Sequence, residues 1–183
     1  MKAEPRPLAV RALQLFARAL LSLSPATRWV PAVCWMALTF ILSMQQFGGG
    51  GEGGAFWGIA SNGYHCFEYG VLAICLCLFV RREQGWPRLD AHATLVIVVV
   101  AGLYGLSDEI HQHFVPTRNS SGLDLLSDII GAWLATRAVA RAGGVDYNAN
   151  ILARIVLLGI PLCIGCAALA NWGGAWFPWL VWN

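Results

Sequence analysis

Between Gly102 and Leu134 the chain reads GLYGLSDEIHQHFVPTRNSSGLDLLSDIIGAWL, and this stretch holds four of the ten acids and two of the four histidines. Asp108, Glu109, His111, Gln112, His113, Arg118, Asp124 and Asp128 stand between two apolar runs. Ionisable groups at membrane depth are costly, so such a cluster marks a functional site. At helical spacing Asp108 aligns with His111 and Gln112, and Glu109 with Gln112 and His113. Asp124 and Asp128 share a face one turn apart on the next helix. His65, Glu68 and Tyr69, spaced i, i+3, i+4, form a third polar face, and Ser43 stands at the same depth.

Glu109 or Asp108 beside His111 could serve as general acid and base, and crowded carboxylates at low dielectric share protons readily. Arg118 is a planar fork suited to phosphate or carboxylate, and the Asn119-Ser120-Ser121 turn at a helix start offers further anion donors. Gln112, His65, Glu68, Tyr69, Asp124, Asp128 and Ser43 would position the reacting groups. The substrate this chemistry suits is an anionic lipid or lipid-linked envelope precursor, hydrolysed or transferred at a phosphate or glycosyl linkage. A structural account stands beside it: Asp124 as a helix-start acid, His65 and Tyr69 as an interhelical pair, Asp108 as partner to Arg118. A transporter fits less well, because the other half of the spans is almost devoid of ionisable groups. His and carboxylate metal ligands are present, but no spacing such as HExxH occurs, so neither a metal nor a cofactor is expected.

The elements that must position these groups are apolar. Of 183 residues, 57% are hydrophobic and only 12% charged, about half the charge of an ordinary soluble domain. This composition indicates an all-α polytopic membrane bundle of about five transmembrane helices. Nothing resembles a basic, aromatic-laced nucleic-acid surface. Most of the six cysteines lie in apolar runs, where they behave as small hydrophobes; Cys163-Ile-Gly-Cys166 has CxxC spacing but no second pair. A disulfide framework is not expected.

In chain order, residues 1–28 form a basic amphipathic segment, with Arg11 and Arg18 on one helical face. The first span is Trp29–Phe47, and Gly48–Gly54 is loop. The second span runs Tyr64–Val80. The third starts at Ala91 and continues as helix to about His113, where Val115-Pro116 stops it. Ser121 caps the fourth helix, with Asp124 three positions on; it ends near Ala140. A fifth span covers about Ile151–Ala170. The tail NWGGAWFPWLVWN suits an interfacial belt. Domain limits are thus 1–28, 29–140 and 141–183. With the N-terminus cytoplasmic, eleven of the twelve basic residues fall inside and Arg118 is the exception. The motif therefore faces the periplasm or cell exterior from a bacterial inner membrane.

These residues resemble the VanZ-like membrane protein family. The resemblance is carried by Ser107-Asp108-Glu109-Ile110-His111-Gln112, Phe114-Val115-Pro116, Arg118, Asp124, Gly131, Ser43 and His65-Cys66-Phe67-Glu68-Tyr69. It covers about Trp35–Ala140. Three positions depart from the family pattern: Asn62 replaces a frequent lysine, Thr117 a frequent glycine, and Asp128 a frequent asparagine. The resemblance implies a small helical membrane protein of the cell envelope, linked to glycopeptide (teicoplanin-type) resistance. It supplies no reaction, and membrane lipids are the only partners it suggests.

Overall fold

A computed structural model describes residues 8–44, 54–115, 120–143, 147–176 and 181–182. Within them the chain is a bundle of α-helices: α1 (Leu8–Leu21), α2 (Trp29–Ser43), α3 (Gly54–Leu76), α4 (Ala91–His113), α5 (Gly122–Ala142) and α6 (Ala149–Trp176). Four two-residue strands join them: β1 (Arg82–Glu83), β2 (Trp86–Pro87), β3 (Ser120–Ser121) and β4 (Val181–Trp182).

The helices begin and end where local chemistry directs. Asp90 caps α4, its carboxylate accepting from the Ala93 amide at 2.8 Å. The helix ends at His113, ahead of Pro116, as the sequence predicts. Ser121 caps α5, its hydroxyl accepting from the Leu123 amide at 3.2 Å. β1 and β2 form a hairpin through Gln84 and Gly85, whose φ values of 48° and 76° suit a two-residue turn of the primed type.

Two boundaries differ from expectation. Gly54 begins α3 instead of closing the loop, so the helix starts ten residues before Tyr64. Ala55, Phe56, Trp57 and Ile59 supply apolar helix-forming residues, and the internal Gly58 and Gly63 cost only about 1 kcal/mol each. At the other end of the chain α6 runs past Ala170 to Trp176. Beyond it β4 pairs antiparallel with β3, Ser120 opposite Trp182 and Ser121 opposite Val181, so this part of the tryptophan-rich tail is a strand.

The core lies between α3, α4 and α5. Tyr69, Leu72, Ala73 and Cys77 of α3 and its following turn meet Ile97 and Ala101 of α4 and Ala132 of α5. The approach of α3 to α5 is close: a Cβ on Gly131 would lie 2.1 Å from the Cys66 carbonyl oxygen. Only glycine fits there. At the basic end, α1 lies across the loops and packs Leu21 against Leu78, Trp86 and Ala142. Gln14 donates to the Ala142 carbonyl, and Arg82 donates to the Leu21 carbonyl at the end of α1.

The surface is apolar where a soluble protein would be polar. Leu95, Val99, Leu103 and Ile110 of α4 and Leu157, Leu158, Ile160 and Ile164 of α6 are exposed, while Asp108, Glu109, Gln112, Asp124 and Asp128 are buried. This inversion is what lipid as solvent requires. Among the described residues, two helices are long and apolar enough to cross a membrane: Ala91–His113 and Ala149–Leu169. Five crossings are expected, and among the described residues the other candidate segments are shorter or more polar. The 15 residues of α2 rise only about 22 Å, against a hydrocarbon core of about 30 Å. The apolar part of α3 is shorter than a full span, and α5 carries Asp124, Asp128, Arg137 and Arg141.

Candidate functional site

One face of α4 points into the bundle along its whole length: Ile97, Ala101, Gly105, Asp108, Glu109 and Gln112 are its buried residues. The face is apolar and small at first, then turns acidic over its last two turns. On α5 the inward face is acidic at the start (Asp124, Ser127, Asp128) and small beyond (Gly131, Ala132). Because α4 and α5 run antiparallel through the short connection, the two acidic ends coincide. Gly105 lets them close: a Cβ there would lie 2.6 Å from Asp128 Oδ2. From α3, the buried His65 enters the same space.

His65 Nδ1 lies 3.2 Å from Asp128 Oδ1, a contact in which the imidazole N–H donates. Glu109 is fully buried, and its Oε2 accepts from the Ser121 amide at 2.8 Å. Gln112 Nε2 donates to Asp108 Oδ2 at 2.8 Å, one turn away on α4. His65, Glu109 and Asp124 each present a ligand atom within 4.8 Å of the others. Several polar atoms here are buried without a hydrogen-bond partner among the described residues: Asp108 Oδ1, Glu109 Oε1, Asp128 Oδ2, Ser127 Oγ and the Tyr69 hydroxyl. Each such atom costs roughly 1–3 kcal/mol if nothing compensates it.

The structure gathers most of the sequence candidates and separates others. Asp108, Glu109, Gln112, Asp124 and Asp128 line the α4–α5 contact. His111 turns the other way, stacking on Phe40 of α2 with ring centroids 4.1 Å apart. Its Nδ1 lies 3.4 Å from Ser43 Oγ, so Ser43 accompanies His111. Positions 109 and 111 are about 200° apart on a helix, which is why the histidine that joins Glu109 is His65. His113 is exposed. Tyr69 belongs to the apolar core, and Glu68 is buried on α3 with its backbone carbonyl accepting from Trp35 Nε1 at 2.8 Å. Arg118, with the rest of 116–119, lies outside the described residues.

Two expectations change. The amide of Ser121, a candidate anion donor, is engaged by Glu109, and Ser120 and Ser121 pair with β4. Where the sequence suggests groups facing a substrate, Asp108, Glu109, Asp124 and Asp128 are all buried, with the helices in close approach at Gly105 and Gly131. A cavity of about 600 Å³ lies at the basic end, lined by Leu76, Val80 and Ile97 together with Arg81, Arg88 and His92. Sequence reading also passed over Ser127 and Gly105. Each is one helical turn from an acid already singled out, and that spacing was the available signal.

The VanZ/LLP1 family model matches residues 28–140, which include every residue of the cluster and leave out α1 and α6. No curated protein and no solved structure matches the chain.

Proposed function

The chain belongs to the VanZ/LLP1 family, and from that premise we propose that it is a multi-pass envelope protein which binds and processes an anionic lipid or lipid-linked precursor at its His65–Glu109–Asp128 cluster. In this reading five segments cross the inner membrane, the N-terminus is cytoplasmic, and the cluster lies toward the outer face. Family membership links the chain to glycopeptide resistance, whether it processes a precursor or acts as a non-enzymatic accessory protein.

One observation carries the proposal: Glu109 is wholly buried, held through one oxygen, and set beside an imidazole that a second carboxylate orients. A carboxyl so placed can exchange a proton with a reacting group while keeping its position. Arg118 provides the head-group contact, two residues before the Ser120 that borders the cluster. Hydrolysis or transfer at a phosphate or glycosyl linkage is the reaction that needs both a proton carrier and an anion holder.

Lipids co-purified with the wild-type protein and with Arg118→Ala, compared by mass spectrometry, test the head-group contact. A distinctive anionic envelope lipid present in the first and lost in the second is the expected result. Identical bulk phospholipid in both overturns it. Glu109→Gln tests the chemistry: the amide oxygen still accepts from Ser121, so the fold persists while turnover of the captured lipid and the glycopeptide phenotype are lost.

A second reading has its own support in the Ser121–Glu109 bond and the His65–Asp128 contact, which tie α4 to the start of α5 and α3 to α5 without any substrate. A non-enzymatic accessory protein would use the network for rigidity alone. Glu109→Gln would then lower thermal stability in detergent and leave the phenotype intact.

A further inference from the structure

We propose that His65, Glu109 and Asp124 form a binding site for one divalent transition ion of the Zn²⁺ or Mn²⁺ class, with Asp128 orienting the imidazole. The three side chains come from three helices, α3, α4 and α5, and their ligand atoms lie within 4.8 Å of one another. Ligand atoms about 2.0–2.2 Å from a shared ion stand roughly 3–4 Å apart. The observed upper limit of 4.8 Å is compatible with that range.

A second, independent observation is the state of Glu109. Its Oε2 is fixed by the Ser121 amide, while Oε1 is buried without a hydrogen-bond partner among the described residues. One oxygen anchored and one bare is the arrangement of a carboxylate ligand. A third is the His65–Asp128 contact at 3.2 Å. With Nδ1 given to a carboxylate, Nε2 is the nitrogen left for an ion, and such carboxylate–histidine pairs fix the tautomer of metal-bound imidazoles.

Charge favours the same conclusion. Among the described residues Glu109 and Asp128 are buried beside the His65 imidazole, and Asp108 is buried one turn from Gln112. Buried carboxylates are tolerated when paired or when they coordinate metal. Mixed imidazole and carboxylate donors suit first-row transition ions over Ca²⁺ or Mg²⁺, which take oxygen alone. Three protein ligands leave a position for water, and an ion of this class makes bound water a nucleophile at neutral pH. That role in turnover rests on the function proposed above; the site itself does not.

The test uses the full chain in detergent, stripped with EDTA and titrated separately with ZnCl₂ and MnCl₂. Bound metal is counted by mass spectrometry after gel filtration. Wild type should retain about one ion per chain, and Asp128→Asn should bind it roughly 10–100-fold more weakly through loss of the orienting contact. Glu109→Gln and Asp124→Asn, which preserve side-chain size, should weaken binding at least as much. Uptake by wild type no greater than by these variants overturns the site. Should a variant fail to fold, Co²⁺ loading of wild type decides: visible bands displaced from those of the aqueous ion sustain the site, and an unchanged spectrum overturns it. No lipid enters this assay. Metal bound without lipid capture would remove only the function proposed above, and lipid capture without metal would remove only this site.

Discussion

At the α4–α5 junction Asp108, Glu109, Asp124 and Asp128 are buried, and Asp108, Glu109 and Asp128 are held by a glutamine side chain, an amide and an imidazole in turn. At the far end of the same helices stand Arg81, Arg82, Arg88, Arg137 and Arg141, with Glu83 and Asp90 among them. Arg88 meets Glu83 at 3.4 Å with both side chains more than half exposed, and Arg81 and Arg88 border a cavity. The two ends carry comparable numbers of charged groups, yet only one invests the fold in them. What separates them is helix approach. Glycines at positions 105 and 131 let α4 and α3 close on α5 around the acids, whereas the basic end is spread by a hairpin and by α1 lying across it.

The contrast can be broken most severely at His65. His65→Ala leaves the Asp128 carboxylate buried with its imidazole gone, and removing one partner of a buried pair costs about 3–5 kcal/mol. Thermal denaturation in detergent should show a large fall in Tm. Gly131→Ala attacks the approach itself. With the Cys66 carbonyl 2.1 Å from the new Cβ, the helices must part, at a cost of about 1–3 kcal/mol or more. Gly165→Ala is the matched control: nothing lies within 4 Å of its Cβ position, so helix propensity should make it neutral or stabilising by up to about 1 kcal/mol. Ser121→Ala removes the α5 cap and should cost about 1 kcal/mol by the same measurement. The smallest effect belongs to the basic end, where Glu83→Ala should change stability by less than about 1 kcal/mol. An equal loss at Glu83 and His65 would refute the distinction between the ends.

Much of this was legible in the residues. The helix across Ala91–His113 followed from its apolar run and from Pro116, the α5 start from Ser121, and the polar faces from i, i+3, i+4 spacing. Spacing gives the relation of side chains on one helix only. That Glu109 would meet His65, and not His111 two residues away, depends on which face of α4 turns toward α3. Glycines decide that by contacts between helices, which no local pattern displays. A three-helix ligand set is hidden for the same reason: its members are 44 and 15 residues apart along the chain, so no linear metal spacing registers it. The start of α3 was missed because a glycine run reads as loop until its far boundary, and the β3–β4 pair was missed because two-residue strands leave no periodicity.

That pair has a consequence for how the protein is made. Val181 bonds back to Ser121, whose amide holds Glu109. Synthesis proceeds from the N-terminus, so α4 and α5, with their acids, are made before β4 exists. The segment that fastens β3 arrives only after α6, and Glu109 acquires its settled surroundings late. A ribosome-bound intermediate that ends before β4 therefore has β3 unpaired, and the strand pairing beside Glu109 is the last of these contacts to form.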